Sequence, residues 1–521
     1  MRTVLKPQMS LGEMAIGKIK LNPKSRDDIP AILAGLQYIY TTPALHDAVF
    51  TILQQILPKQ TKKEQRDQSH QTVSSSLGRP GMEQWKILVL GVLRLGLNTD
   101  YDRIHELANH HNTIRQMMGH SEWSDDYEYS LQAIKDNLQL FTPEILEQIN
   151  GEVIKAGHTL VKKKHGVGPT ANKHLVEQAV EPTAEKLHGR CDSFVVETNV
   201  HFPTDISLLY DAVRKAIEES AVLATIYGVS GWRQSANTIK QVKKQYRKIQ
   251  TLKHSTSQDE EKKRNRAELI KKEHTTYIEL AEQWIQRSEQ TIEQLKINGC
   301  DDDEMARLEQ YLSYARLLMD QTYRRVILGE VIAHNEKIFS IFEPHTEWVC
   351  KGKAGVPVEL GLRVCIMEDQ HQFILHSKVM EKLTDDKIAV EMVTATKKRF
   401  PNLICVSFDK GYHSRENQQQ LKEHLERVIL PKKGRLSEAD RLREGSDEFR
   451  RLRHKHSGVE SAINGLEHGG LDVCPDHGIM GFKRYVSLAV VSRNIKRLGS
   501  ILYKQAEEKE RRKRGHYKIA A

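Results

Sequence analysis

Little in this 521-residue chain would staple, break or anchor a fold. It has six cysteines and 15 prolines. Cys191, Cys300, Cys350, Cys365, Cys405 and Cys474 lie far apart with no C-x-x-C pair. Their spacing excludes a zinc ribbon or a disulfide scaffold and fits a reducing cytoplasm. The longest apolar run, Ile87 to Leu97, is short and interrupted by Arg94, so no segment reads as a membrane span. The opening Met1-Arg-Thr-Val-Leu-Lys-Pro7 has no apolar core of a secretion signal. There is no Gly-x-x-x-x-Gly-Lys-Ser/Thr loop, which argues against an ATP-driven motor. The 24 histidines include no His-Glu-x-x-His or other paired ligand spacing, which leaves a zinc hydrolase little support. No Gly-x-Ser-x-Gly elbow and no internal repeat appears either.

What the chain does have is charge and enough apolar residues for a core. Apolar residues make up 39% and charged residues 28%, with 79 Lys+Arg against 69 Asp+Glu, a net charge of +10. That surplus suits a polyanionic partner. At about 150 residues per domain the length predicts roughly three or four domains. A soluble, intracellular, multidomain protein is expected.

Residues 1 to about 160 read as almost entirely helical. Apolar positions recur at helical spacing from Ile29 to Tyr40, Leu45 to Leu57 and Trp85 to Leu97. A polar stretch, Lys59 to Ser76, reads as a loop, closed by Gly78-Arg-Pro-Gly-Met82. Short helices at Trp85–Leu97, Tyr101–Asn109 and Asn112–Met118 have the spacing of a helix-turn-helix, but two packed helices with a short loop are common in any all-α domain. Lys162-Lys-Lys-His-Gly-Val-Gly-Pro169 reads as a basic linker.

Beyond it the period changes. Cys191 to Glu197 predicts a strand, and Thr204 or Asp205 caps a helix running from Ile206 to about Tyr227. From Asn237 to about Glu330 the chain predicts charged helices. A long antiparallel hairpin is followed by a third helix that starts at the acids Asp301 to Glu304. A strand hairpin follows, Val356–Met367 and Gln372–Met380, then a helix at Asp385–Arg399. Leu403-Ile-Cys-Val-Ser-Phe408 is an unbroken apolar run that predicts a central strand covered on both faces. Helix Arg415–Leu425, strand Arg427–Leu430 and the basic loop Pro431–Arg435 come next. Helices at Phe449–His468 and Phe482–Tyr503 and a charged tail at Glu507–Arg514 complete the chain.

Three acids are the candidates for chemistry. Asp192 starts a predicted strand, and Asp409 ends the most apolar one, where sites of α/β sheets collect. Taken singly, Asp409 also reads as the opening of a turn with Gly411. Glu460 in Ser457-Gly-Val-Glu460 also matches a capping box. Upstream of it lie Arg450, Arg451, Arg453, His454, Lys455 and His456, a basic cluster suited to a phosphate backbone.

In order along the chain, these segments resemble a DDE transposase of bacterial insertion sequences, most nearly the ISNCY group. The likeness runs from about Gly78 onward. It rests on Asp192-Ser-Phe-Val-Val-Glu-Thr-Asn-Val-His-Phe-Pro-Thr-Asp205, Phe342-Glu-Pro-His-Thr-Glu-Trp348 with Lys351-Gly-Lys353, and Phe408-Asp-Lys-Gly-Tyr-His-Ser414. Leu430-Pro-Lys-Lys-Gly-Arg435, His456-Ser-Gly-Val-Glu-Ser-Ala-Ile-Asn464 and Arg493-Asn-Ile-Lys-Arg-Leu-Gly499 complete it.

The resemblance implies an α/β, ribonuclease H-like catalytic core, a mixed sheet with helices, at residues 185–209 and 331–500. A large helical insertion would occupy 210–330, an all-α DNA-binding domain 1–160 and a charged tail 501–521. It implies Asp192, Asp409 and Glu460 as catalytic residues and as ligands of two divalent cations, Mg²⁺ or Mn²⁺. Double-stranded DNA, as transposon ends and as target, would be the partner, bound through Lys410, Lys432, Lys433, Arg435, Arg453 and Lys455. Pairing of two ends implies at least a homodimer, working in a bacterial cytoplasm and on the nucleoid when bound to DNA. Phe194 stands where many relatives have a hydroxyl residue. No Tyr accompanies Arg453 before Glu460, and Leu466 and Glu467 stand where relatives carry a Lys.

Phosphodiester exchange requires such carboxylates, because two metals about 4 Å apart activate the attacking oxygen and stabilise the leaving one. Hard oxygen ligands suit Mg²⁺ or Mn²⁺. Two other readings stand beside this one. One is a DNA-binding protein of transposase descent without strand transfer. The other is a metal-dependent phosphohydrolase for small substrates, which the basic surplus and large helical attachments disfavour.

Overall fold

The computed structural model describes residues 3–5, 14–56, 81–121, 125–165, 185–254, 259–350 and 357–519. The polar stretch Lys59–Ser76, the linker residues Gly166 to Pro169, and Lys351 and Lys353 lie outside them. Helices α1 (Ile29–Thr41), α2 (Pro43–Leu53), α3 (Gln84–Gly96), α4 (Tyr101–His110), α5 (Asn112–Met117), α6 (Leu131–Leu138) and α7 (Pro143–His165) precede strand β1 (Leu187–Thr198). Helices α8 (Asp205–Ile226), α9 (Ser235–Lys253), α10 (Glu260–Ile297) and α11 (Asp302–Tyr323) follow, then strands β2 (Glu347–Cys350), β3 (Val358–Glu368) and β4 (Ile374–Met380). Next come α12 (Asp385–Arg399), β5 (Leu403–Phe408), α13 (Arg415–His424) and β6 (Arg427–Ile429). The last elements are α14 (Glu438–Gly445), α15 (Asp447–His456), α16 (Gly458–Leu466), β7 (Val473–Cys474) and α17 (Gly478–Ile519).

The fold is mixed α/β, with seven strands in one mixed sheet among the described residues. Its central order is β4-β3-β1-β5-β6. The pairs β4–β3 and β3–β1 are antiparallel, whereas β1–β5 and β5–β6 are parallel. The apolar run Leu403–Phe408 is a central strand, as its composition demands, with Leu403, Val406 and Phe408 buried. Burying side chains of this size contributes roughly 1.5–3 kcal/mol each.

The chain divides into two compact units, residues 1–198 with 361–521, and residues 199–360. In the first, the helices expected as a separate domain at 1–160 share one core with the sheet. Leu33 and Leu36 of α1, Trp85 and Leu90 of α3, and Leu146 and Val153 of α7 belong to the same cluster as Val196, Val364, Phe408 and Ile495. The long helix α17 causes this, because Phe482, Val486, Val490, Val491, Ile495 and Leu498 bury several of its faces. Helix α1 crosses it closely: a Cβ on Gly499 would fall 1.9 Å from the Ala31 carbonyl oxygen. The trio α3, α4 and α5 forms at the predicted places, with Asp100 capping α4 through the Arg103 amide. Yet α3 is buried from Gln84 through Leu95 at every residue but Lys86, as a nearly all-apolar helix should be. Helix α5 turns Ile114, Gln116 and Met117 inward, and Arg115 spends its guanidinium on the carbonyls of Ala108, Asp125 and Tyr127.

The second unit is helical apart from β2, and the expected insertion, 210–330, falls inside it. Thr204 caps α8 in a reciprocal pair with Ser207. Asp301 caps α11, whose first turn carries Asp302, Asp303 and Glu304 against the helix dipole. Val242 and Ile249 of α9 and Ala281 and Ile285 of α10 are buried in the unit's own core, as helical spacing predicts, with Tyr277 buried there in place of the expected Ile278. Arg316 ties α11 to α10 through Glu282 and Glu289. Among the described residues no helix is long and apolar enough to cross a membrane.

Candidate active site

The site begins with strand register. Cys191 of β1 pairs in parallel with Phe408 of β5, so the next residues, Asp192 and Asp409, are neighbours across the two strands. Adjacent strands lie about 4.8 Å apart. Asp192 lies within a strand that begins five residues earlier, at Leu187, and not at the strand's start as its local sequence suggests. Asp409 is exposed where β5 ends and precedes a short 3-10 turn, Lys410–Tyr412, without a side-chain cap bond to it, so the turn reading and the site position coincide.

Strand alternation puts Arg190, Asp192 and Ser407 on one face. The α15–α16 junction covers that face. The Ser407 hydroxyl lies 3.0 Å from His456 Nδ1, and Arg190 Nη1 donates to the Lys455 carbonyl at 3.4 Å. Here the predicted single helix Phe449–His468 breaks in two at Ser457 and Gly458. A Cβ on Gly458 would lie 1.8 Å from Arg190 Nη1, so the glycine leaves room for the guanidinium. Gly/Ser pairs are common sites of helix breaks. The capping box expected of Ser457 and Glu460 does not form. Ser457 makes no side-chain cap, and its hydroxyl donates instead to the His454 carbonyl. Glu460, exposed in the first turn of α16, is thus released from the cap role.

The electrostatics tie the acids together. Burial, followed by the charges of Asp409, Asp385 and Glu460, pushes the Asp192 carboxyl up to about 6, against a bond from the Ser193 amide. Burial holds His456 below the usual imidazole range, while Asp409 and Glu460 pull it upward. The structure therefore brings Asp192, Asp409 and Glu460 into one field. Two residues in that field escaped the sequence reading as site members. Asp385, read only as the start of a helix, accepts from the Ser193 hydroxyl at 2.6 Å. His456, read as one of a basic run, has a buried Nε2 with no hydrogen-bond partner among the described residues.

The expected phosphate-binding residues divide. Lys410, Lys433, Arg435, Arg453 and Lys455 are exposed, with Lys410 next to Asp409 and Lys455 next to His456. Lys432 is not free: its ammonium pairs with Asp440, and its amide donates to Glu444.

The donor set consists of hard carboxylate oxygens, and their mutual repulsion at Asp192 is the kind a divalent cation relieves. Among the described residues, however, no three His, Cys, Asp or Glu side chains are grouped closely enough to hold a metal ion. The carboxylates act on one another without being drawn together as ligands. No protein-family model, curated protein or solved structure matches the chain.

Proposed function

We propose that the protein is a DDE-type transposase that binds the terminal inverted repeats of an insertion sequence and cuts and joins DNA strands. The observation that carries the reading is the β1–β5 register, which makes Asp192 and Asp409 neighbours, with Glu460 acting on Asp192. The sheet order β4-β3-β1-β5-β6, antiparallel then parallel, supports a ribonuclease H-like core. Asp192, Asp409 and Glu460 would hold two divalent cations, Mg²⁺ or Mn²⁺. When bound, these activate water or a 3′-hydroxyl and stabilise the leaving oxygen.

The chain's own residues prepare the substrate. Exposed Lys410 follows Asp409, and exposed Arg453 and Lys455 of α15 precede Glu460, and these would offer ammonium and guanidinium groups to a phosphate backbone. Arg190 fixes the α15–α16 junction over the acid face through the Lys455 carbonyl. Work on paired ends calls for at least a dimer, and the setting proposed is a bacterial cytoplasm.

The test is cleavage of a labelled duplex carrying the repeat that flanks the protein's own gene, in Mg²⁺. Wild type should nick at the repeat end, and Asp409→Asn and Glu460→Gln should each reduce nicking at least 100-fold while still binding the duplex. Full activity in Asp409→Asn overturns the assignment. Binding without cutting in every form favours the second reading, a DNA-binding protein of transposase descent, which the ungrouped carboxylates favour. If Glu460→Gln alone cuts normally, Glu467 is the next acid to replace.

A further inference from the structure

A cavity of about 340 Å³ in the first unit shares no residue with the acid cluster. Its wall includes Arg493, Lys496 and Arg497 of α17, Ser500 one turn on, and Gly465 at the end of α16. Arg493 and Arg497 are four residues apart, so both guanidiniums project from one face of the helix. Like charges at that spacing repel, and burial holds both side chains below the usual guanidinium range. A fold keeps such a pair where an anion compensates it.

The local acids do this only in part. Asp28, the single carboxylate in the wall, is already taken by Lys496 at 2.6 Å. Glu368 approaches Arg493 Nη2 no closer than 3.8 Å, and Asp369, the acid that acts most on Arg497, already pairs with His158 at 2.5 Å. Arg493 Nε is buried with no hydrogen-bond partner among the described residues. Arg497 donates through Nε to the His371 carbonyl at 3.0 Å, which fixes the plane of its guanidinium. The cavity also depends on Gly465, where a Cβ would lie 2.3 Å from Arg493 Nη1. A pair of planar forks with one edge held suits a tetrahedral oxyanion better than a point charge does.

We infer that this cavity binds a phosphoryl group, clamped between Arg493 and Arg497. Two sources share that chemistry, the backbone of a DNA strand and free phosphate, and one experiment separates them. Thermal unfolding of the full chain is followed while inorganic phosphate replaces chloride at constant ionic strength. Wild type should gain a saturable rise in midpoint. Arg493→Gln and Arg497→Gln should each raise the apparent Kd about 10-fold or more, the scale of a lost charge-assisted bond.

Ser500→Asp sets a carboxylate in the wall without removing either clamp, and it should abolish the phosphate effect in a folded protein. It decides the matter if the arginine variants misfold. A midpoint rise equal in wild type and Ser500→Asp, or no greater with phosphate than with chloride, overturns the inference. A duplex without terminal phosphates is then added. Displacement of phosphate by that duplex assigns the cavity to a DNA backbone, and undiminished phosphate binding assigns it to the free anion.

Discussion

Glu368 ends β3 with no exposed surface, and neither carboxyl oxygen has a hydrogen-bond partner among the described residues. Two cations lie near it, Arg190 Nη2 at 3.1 Å and Arg493 Nη2 at 3.8 Å. These distances taken alone predict an ionised carboxylate. Burial outweighs them and pushes Glu368 up to about 7, because Coulomb attraction without hydrogen bonds does not replace a lost hydration shell. Below the ordinary value of 4.5 the carboxyl is protonated in both folded and unfolded chains. Between there and about 7 only the folded chain holds the proton, so stability falls as pH rises across that window. The rise from 4.5 to about 7, at about 1.4 kcal/mol per pH unit, is worth about 3.5 kcal/mol in full, of which about 3 kcal/mol is lost above pH 4.5. Glu368→Gln, with the same shape and no charge, should lack this slope. Urea unfolding of both proteins from pH 4.5 to pH 8 should show the difference moving by about 3 kcal/mol in favour of the variant. Parallel curves, agreeing within about 0.5 kcal/mol, would mean that Arg190 and Arg493 keep Glu368 ionised and that the burial argument fails.

Two other outcomes follow from packing. Gly499→Ala gains about 1 kcal/mol of helix propensity, but its Cβ meets the Ala31 backbone carbonyl at 1.9 Å, which a side-chain rotation cannot relieve. A net loss of about 1–3 kcal/mol in urea unfolding is expected, and a neutral or stabilising result would refute the close crossing of α1 and α17. Of the six cysteines, Cys350 alone is exposed, while burial pushes Cys405 up to about 11 and Cys191 well above the usual thiol range. A disulfide reagent at neutral pH should therefore consume one thiol rapidly, and Cys350→Ser should remove that phase. Rapid loss of two or more would contradict the burial of the other five thiols.

Local pattern fixed several elements outright. Asp385–Arg399 and Leu403–Phe408 fall at their expected residues, because acids at a helix start and an unbroken apolar run of strand length are signals carried within the segment. β1 was read four residues short at its start. Leu187 to Arg190 contains His and Gly, and only pairing with β3 and β5 makes it a strand. The break at Ser457 and Gly458 is illegible locally for a similar reason, since the neighbour that requires the glycine is Arg190, 268 positions before Gly458. Of the site, the three acids were legible from motif order. Asp385 and His456 were not, because each joins only through tertiary neighbours, Ser193 and Ser407. Helical periodicity in residues 1–160 says which faces are buried and nothing of what buries them, and part of that cover is α17 and the sheet.

The crossing of α1 and α17 has a consequence for how the chain is made. The Tyr503 hydroxyl donates to the Pro30 carbonyl across 473 residues of sequence. At about 5–20 residues per second, the first helix leaves the ribosome roughly 25–95 s before its partner exists. Through that interval the apolar faces of α1 and α3 have no α17 to cover them, and a chain stopped before α17 never gains that cover. Closure of this core therefore waits on α17, however early the helices it covers have formed.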